Sequence, residues 1–146
     1  MPRGKHWGSD AGTASLEFIT VGVILLIPLV YLVLVIGAIQ SAALAAEGGA
    51  RHAVRLLATG EAPYGNGTLE RAVEFALADH GVTPSNIRVE VACSGPPPCS
   101  QRGDFTRVSV ELAVPLPLVP VFPGVSPPTI PVAASATQQV SRWAGG

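Results

Sequence analysis

Charge is scarce in this sequence. Only 13% of its 146 residues are Asp, Glu, Lys or Arg, and the formal net charge is −1. Lys5 is the only lysine. Such a chain has no basic footprint for a phosphate backbone, which excludes nucleic acid as a partner. Histidine is equally thin: His6, His52 and His80 lie far apart. No HExxH, GxSxG, phosphate-loop or dinucleotide fingerprint occurs. The two cysteines, Cys93 and Cys99, have no further Cys or His near them, which argues against zinc. Their spacing is not the C-x-x-C of a redox pair. The expectation is a protein that is not an enzyme and needs no cofactor or metal.

What charge there is lies unevenly. From Thr13 to Ala46 the only side chain charged at neutral pH is Glu17. Phe18–Ile39 carries no charge at all. As a helix this run is about 33 Å long, against a hydrocarbon core of about 30 Å. Pro28 would break a soluble helix at a cost of about 3 kcal/mol, but membrane helices accept it, usually as a kink. Three readings compete. One is a secretory signal cut near Ala45, although the run exceeds the usual apolar region of such signals. The second is a plain single-pass anchor. The third is an anchor trimmed before the apolar run rather than after it.

Helical pattern continues past the run. Ala46, Ala50, Ala53, Val54 and Leu57 share one stripe, and Glu47, Arg51 and Arg55 share another at i, i+4 spacing. Gly48 and Gly49 mark a hinge or a close-packing point. Small residues four apart (Gly37, Ser41, Ala45 and Gly49; Ala38, Ala42 and Ala46) suit close helix–helix approach. A second helix is expected from about Leu69 to His80. Thr68 is its N-cap candidate, Glu70 stands in its first turn, and Gly81 stops it. Its buried stripe is Leu69, Ala72, Val73, Ala76 and Leu77.

The remainder alternates with a period of two. Ile87, Val89, Val91 and Cys93 form one inward row; Val108, Val110, Leu112 and Val114 form a second; Ile130, Val132, Ala134 and Ala136 form a third. Pro115–Pro128 holds six prolines and reads as an extended surface loop. The fold class is therefore α+β: a long N-terminal transmembrane helix, a short second helix and a small antiparallel β-meander. In an exported segment, an even cysteine count favours a Cys93–Cys99 disulfide. Its short, proline-stiffened loop limits the stabilisation to about 2 kcal/mol or less.

Glu17 is the anomaly. It immediately precedes the apolar run, where a carboxylate is costly unless it is solvated or paired. The plain reading is a solvated acid in the first turn of a helix. The specific reading is a cut after Gly12. Thr13 then becomes an N-terminus, and its ammonium lies one helical turn from Glu17. In an assembly the amine of one subunit can neutralise the carboxylate of its neighbour, and a misregistered pair leaves a charge unpaired. Glu17 sets register in this reading, while apolar packing supplies affinity.

Gly12-Thr13-Ala14-Ser15-Leu16-Glu17-Phe18, followed by the apolar run, resembles the prepilin-peptidase site of type IV pilins and pseudopilins. More narrowly, Ala14–Phe18, the run and the Ala-rich Ala42–Ala58 resemble TadE-like pseudopilins of the Tad (tight adherence) pilus system. The resemblance covers Gly12 to about Leu57. It implies processing by a membrane aspartyl peptidase that cuts between Gly12 and Thr13. It also implies an assembly role for Glu17 and Phe18, a pilin-like fold, and pilin or pseudopilin partners. The major Tad pilin is much shorter, so the implied role is a minor one in assembly.

The resulting organisation is a leader over 1–12, a helix over 13–58 with its span at 18–39, and an extracytoplasmic domain over 59–146. Arg3 and Lys5 flank one side of the span, Arg51 and Arg55 the other. The free amino terminus and Glu47 tip the N-terminus to the cytoplasmic side. Two other functions fit the same residues. One is an anchored binding domain whose Pro115–Pro128 loop meets a partner or surface; the other is a secreted protein cut near Ala45.

Overall fold

A computed structural model describes residues 10–61, 67–96, 101–120 and 122–141, with side chains from Thr13 onward. The elements are α1 (Asp10–Thr59), α2 (Thr68–Asp79), β1 (Asn86–Cys93), β2 (Phe105–Pro115) and β3 (Thr129–Gln139). This is the expected α+β layout. The chain divides into two compact units, Met1–Leu34 and Val35–Gly146.

In the first unit, the described residues belong to α1. The helix begins at Asp10, three residues ahead of the expected boundary, and runs through Pro28 unbroken. Thr20 satisfies its hydroxyl locally: Oγ1 donates to the Leu16 carbonyl at 2.7 Å. Apolar side chains occupy every side of the helix, and from Leu16 to Leu34 they are largely exposed. A helix that is apolar all round needs a surrounding that water does not provide.

The second unit is a sheet with helices on one face. β1, β2 and β3 pair in sequence order as an antiparallel meander. Val89 stands opposite Val110, and Val110 opposite Ala134, so all three inward rows meet on one face. Val108, Val110, Leu112 and Val114 of the central strand are buried, as the two-residue period requires. The other face carries Arg88 opposite Glu111, and Arg107 donating from Nε to Thr137 Oγ1 at 3.1 Å.

The helices supply the second layer. Ala46, Ala50, Ala53, Val54 and Leu57 of α1 are buried together with Leu69, Val73 and Leu77 of α2. Ala72 and Ala76 lie at the edge of this stripe, half-buried. The charged stripe faces water, where Arg51 Nη2 meets Glu47 Oε2 at 2.7 Å. An exposed pair of this kind contributes about 0.3–0.5 kcal/mol.

The ends of α2 differ from one another. Thr68 is not its N-cap but its first helical residue. The cap position belongs to Gly67, whose φ of 66° is left-handed and which has no side chain to cap the helix; Arg71 Nε donates back to its carbonyl at 3.2 Å. At the other end Gly81 takes φ +66°. Its N–H donates to Ala78, and the Val82 N–H donates to Leu77, each at 2.9 Å. This is the Schellman closure, sealed by burial of both Leu77 and Val82.

Cys93 ends β1 and is disulfide-bonded. The other cysteine of the chain, Cys99, lies outside the described residues. Beside Cys93, Ser94 Oγ accepts the Phe105 N–H at 2.9 Å and ties the start of β2 to the end of β1.

Candidate functional site

Two places on this chain carry features that folding alone does not require. The first is the head of α1. Gly12 and Thr13 fall in its first turn, Glu17 ends the second and Phe18 follows it. Thr13 and Glu17 are four residues apart and so share one helix face. Glu17 is exposed and has no hydrogen-bond or ion-pair partner among the described residues. Phe18 beside it is 81% exposed. From Thr13, α1 is long and apolar enough to cross a membrane, with a mean hydropathy of 3.0 in its most apolar stretch. The leader residues 1–9 lie outside the described set.

The small-residue stripe is placed differently from the expectation of packing in lipid. Its outer part works inside the second unit. Ala42, Ala45, Ala46 and Ala50 are fully buried in the domain core. Gly49 lies against α2: a Cβ there would stand 3.4 Å from Val73 Cα and 3.6 Å from Ala76 Cβ. Gly48, by contrast, faces open space. Of the two glycines, Gly49 is the close-packing point, and the helix continues through both.

The second place is the connection between β2 and β3. The Leu116 N–H donates to the Pro128 carbonyl at 3.0 Å and closes the neck of this loop. Within it, the Val125 N–H donates to the Phe122 carbonyl at 3.1 Å. Pro123 and Gly124, the latter at φ +82°, occupy the centre of that turn. Proline at the second position and a left-handed glycine at the third are the requirements of a type II turn. The turn leaves Phe122 and Val125 each 61% exposed. Leu118 holds φ +62°, rare for a side chain of its size, and is 78% exposed. Sequence reading singled out the loop but not these three tips. The Phe-Pro-Gly-Val order was the available signal.

No set of three His, Cys, Asp or Glu side chains converges among the described residues. His52 and His80 are both exposed. A shallow recess on the outer sheet face, lined by Arg88, Glu111 and Pro131, is open to solvent. No protein-family model, curated protein or solved structure matches this chain.

Proposed function

We infer that this chain is a membrane-anchored assembly subunit, a pseudopilin or minor pilin resembling the TadE-like components of Tad-type pili. In this reading it performs no catalysis and holds no cofactor. Its partners are the membrane, other pilin or pseudopilin subunits, and the prepilin peptidase that frees Thr13. The observation that carries the reading is Glu17: an exposed carboxylate at the head of a helix that is apolar on every side. Such a helix needs lipid or other helices around it. Packed among other helices and away from water, Glu17 needs a partner, and the ammonium of Thr13 on a neighbouring subunit is of the right charge.

The domain beyond the span supports anchoring over secretion. Ala42, Ala45 and Ala46 are fully buried. A cut near Ala45 would remove Ala42 and Ala45 from the core and place a new charged amine within it, which weighs against a secreted form. The N-terminus is cytoplasmic in this reading and the sheet domain extracytoplasmic, with Cys93–Cys99 as its disulfide.

The intact mass and N-terminal sequence of the mature protein test the proposal. Thr13 is expected as the first residue when the chain is made in a host with an active prepilin peptidase. Met1 or Pro2 as the first residue would sink the pilin reading and leave a plain anchor. Ala46 as the first residue would establish the secreted form.

A further inference from the structure

We propose that the β2–β3 loop is a second membrane contact, with Leu118, Phe122 and Val125 entering the interfacial layer of the leaflet in which the apolar run of α1 ends. The inference rests on the reading of α1 as a membrane span.

The second unit has two chemically different ends. At one end Asp104 accepts the Val140 N–H at 2.8 Å, and the Ser141 N–H donates to Ala58 at 3.4 Å. The start of β2, the end of β3 and the last turn of α1 therefore lie together there. Glu61, Arg102 and Asp104 belong to that end. β2 runs from this end to the other. There Val114 and Pro115 line one recess with Ala38 and Ser41 of α1 and His80 of α2. Ser41 Oγ donates to the His80 carbonyl at 3.3 Å and fixes the level. Ile39, the last residue of the apolar run before Gln40, lies between Ala38 and Ser41 in sequence. The loop thus leaves the sheet at the level where the span leaves the membrane.

The chemistry of the loop fits that level. From Leu112 to Ser141 the sequence contains no charged residue. Leu118, Phe122 and Val125 are the apolar tips, and all three are exposed among the described residues. Irregular backbone is normally costly in a membrane because its N–H groups lose water. Prolines have no N–H to strand, and this loop is built on them. The turn bond from Val125 to Phe122 and the neck bond from Leu116 to Pro128 satisfy further donors internally. Apolar side chains at the boundary of headgroups and acyl chains add affinity in proportion to the area they bury. Asp79 and His80, at the end of α2, remain in the polar layer above. The loop would give the domain a second point of attachment to the membrane besides α1.

Depth-resolved fluorescence quenching tests this. The full-length protein is reconstituted in phosphatidylcholine vesicles with Trp7 and Trp143 replaced by Phe. A single reporter is then introduced as Phe122→Trp. Lipids brominated in the upper acyl chain are expected to reduce its emission about twofold relative to unbrominated lipid. Leu29→Trp, near the middle of the span, should be quenched by lipids brominated low on the acyl chain. Phe105→Trp, at the charged end, should not. Val125→Trp serves as a second loop reporter if the first variant folds poorly. Unquenched loop reporters alongside a quenched Leu29→Trp would overturn the inference and leave the span reading standing. An unquenched Leu29→Trp would remove the span reading and this inference with it.

Discussion

Gly49 lies against Val73 so closely that a methyl group on Gly49 would stand 3.4 Å from both the Cα and a Cγ of Val73. That is van der Waals contact rather than overlap, so the site admits alanine and nothing larger. Gly49→Ala removes the entropic cost of glycine in a helix, about 0.5–1 kcal/mol. It should leave the domain as stable as before or raise its unfolding midpoint. Gly49→Leu should overpack the α1–α2 contact and destabilise by about 1–3 kcal/mol. Urea unfolding of the two variants checks both signs. A Leu variant as stable as the parent would show that the helices do not meet there.

Thr106 is fully buried on the central strand, and its Oγ1 has no hydrogen-bond partner among the described residues. It stands opposite Cys93 on one side and Gln138 on the other. A buried hydroxyl without a partner keeps its desolvation cost, about 1–3 kcal/mol. Thr106→Val exchanges that hydroxyl for a methyl of similar shape and should stabilise the domain by about 1 kcal/mol. For a domain of this size that is a rise of about 4–8 °C in Tm. A lower Tm would show that the hydroxyl is bonded in solution.

Glu17→Val separates the two roles of the N-terminal segment. Valine is at least as compatible with lipid as the apolar residues that follow, so membrane fractionation should be unchanged. In the pilin reading, the Thr13 ammonium of a neighbouring subunit then loses its partner. Breaking such a desolvated pair costs about 3–5 kcal/mol, and assembled pili should fall more than tenfold by electron microscopy. Normal assembly in the variant would refute a register role for Glu17.

Periodic features of this chain were legible without coordinates, because they depend on neighbours in sequence. Val108, Val110, Leu112 and Val114 alternate as a pleated strand must, and all four are buried. Gly81 read as a helix stop, and a left-handed conformation at that position is what a Schellman closure needs. Thr68 illustrates the limit of such reading. It is a good capping type, but Gly67 takes the left-handed cap position, and Thr68 is drawn into the first turn. The head of α1 was legible as a pattern: Gly12, Thr13, Glu17 and Phe18 before an uncharged run. In the pilin reading its partner was not, because the proposed cation would belong to another subunit.

Composition and spacing alone determined that the chain holds a span-length apolar helix, one lone carboxylate at its head, a second amphipathic helix and three alternating strands. These follow from hydropathy and from the two periods of regular structure, which are local properties. Tertiary packing decided the rest. It selected Gly49 rather than Gly48 as the helix contact and turned the outer small residues of α1 into the domain core. It also brought Pro115 level with Ala38 and Ser41, so that an uncharged loop leaves the sheet where the apolar run stops. No local rule contains that juxtaposition. It arises because the sheet and α1 bury their apolar faces on each other, and that requires contacts between residues far apart in sequence.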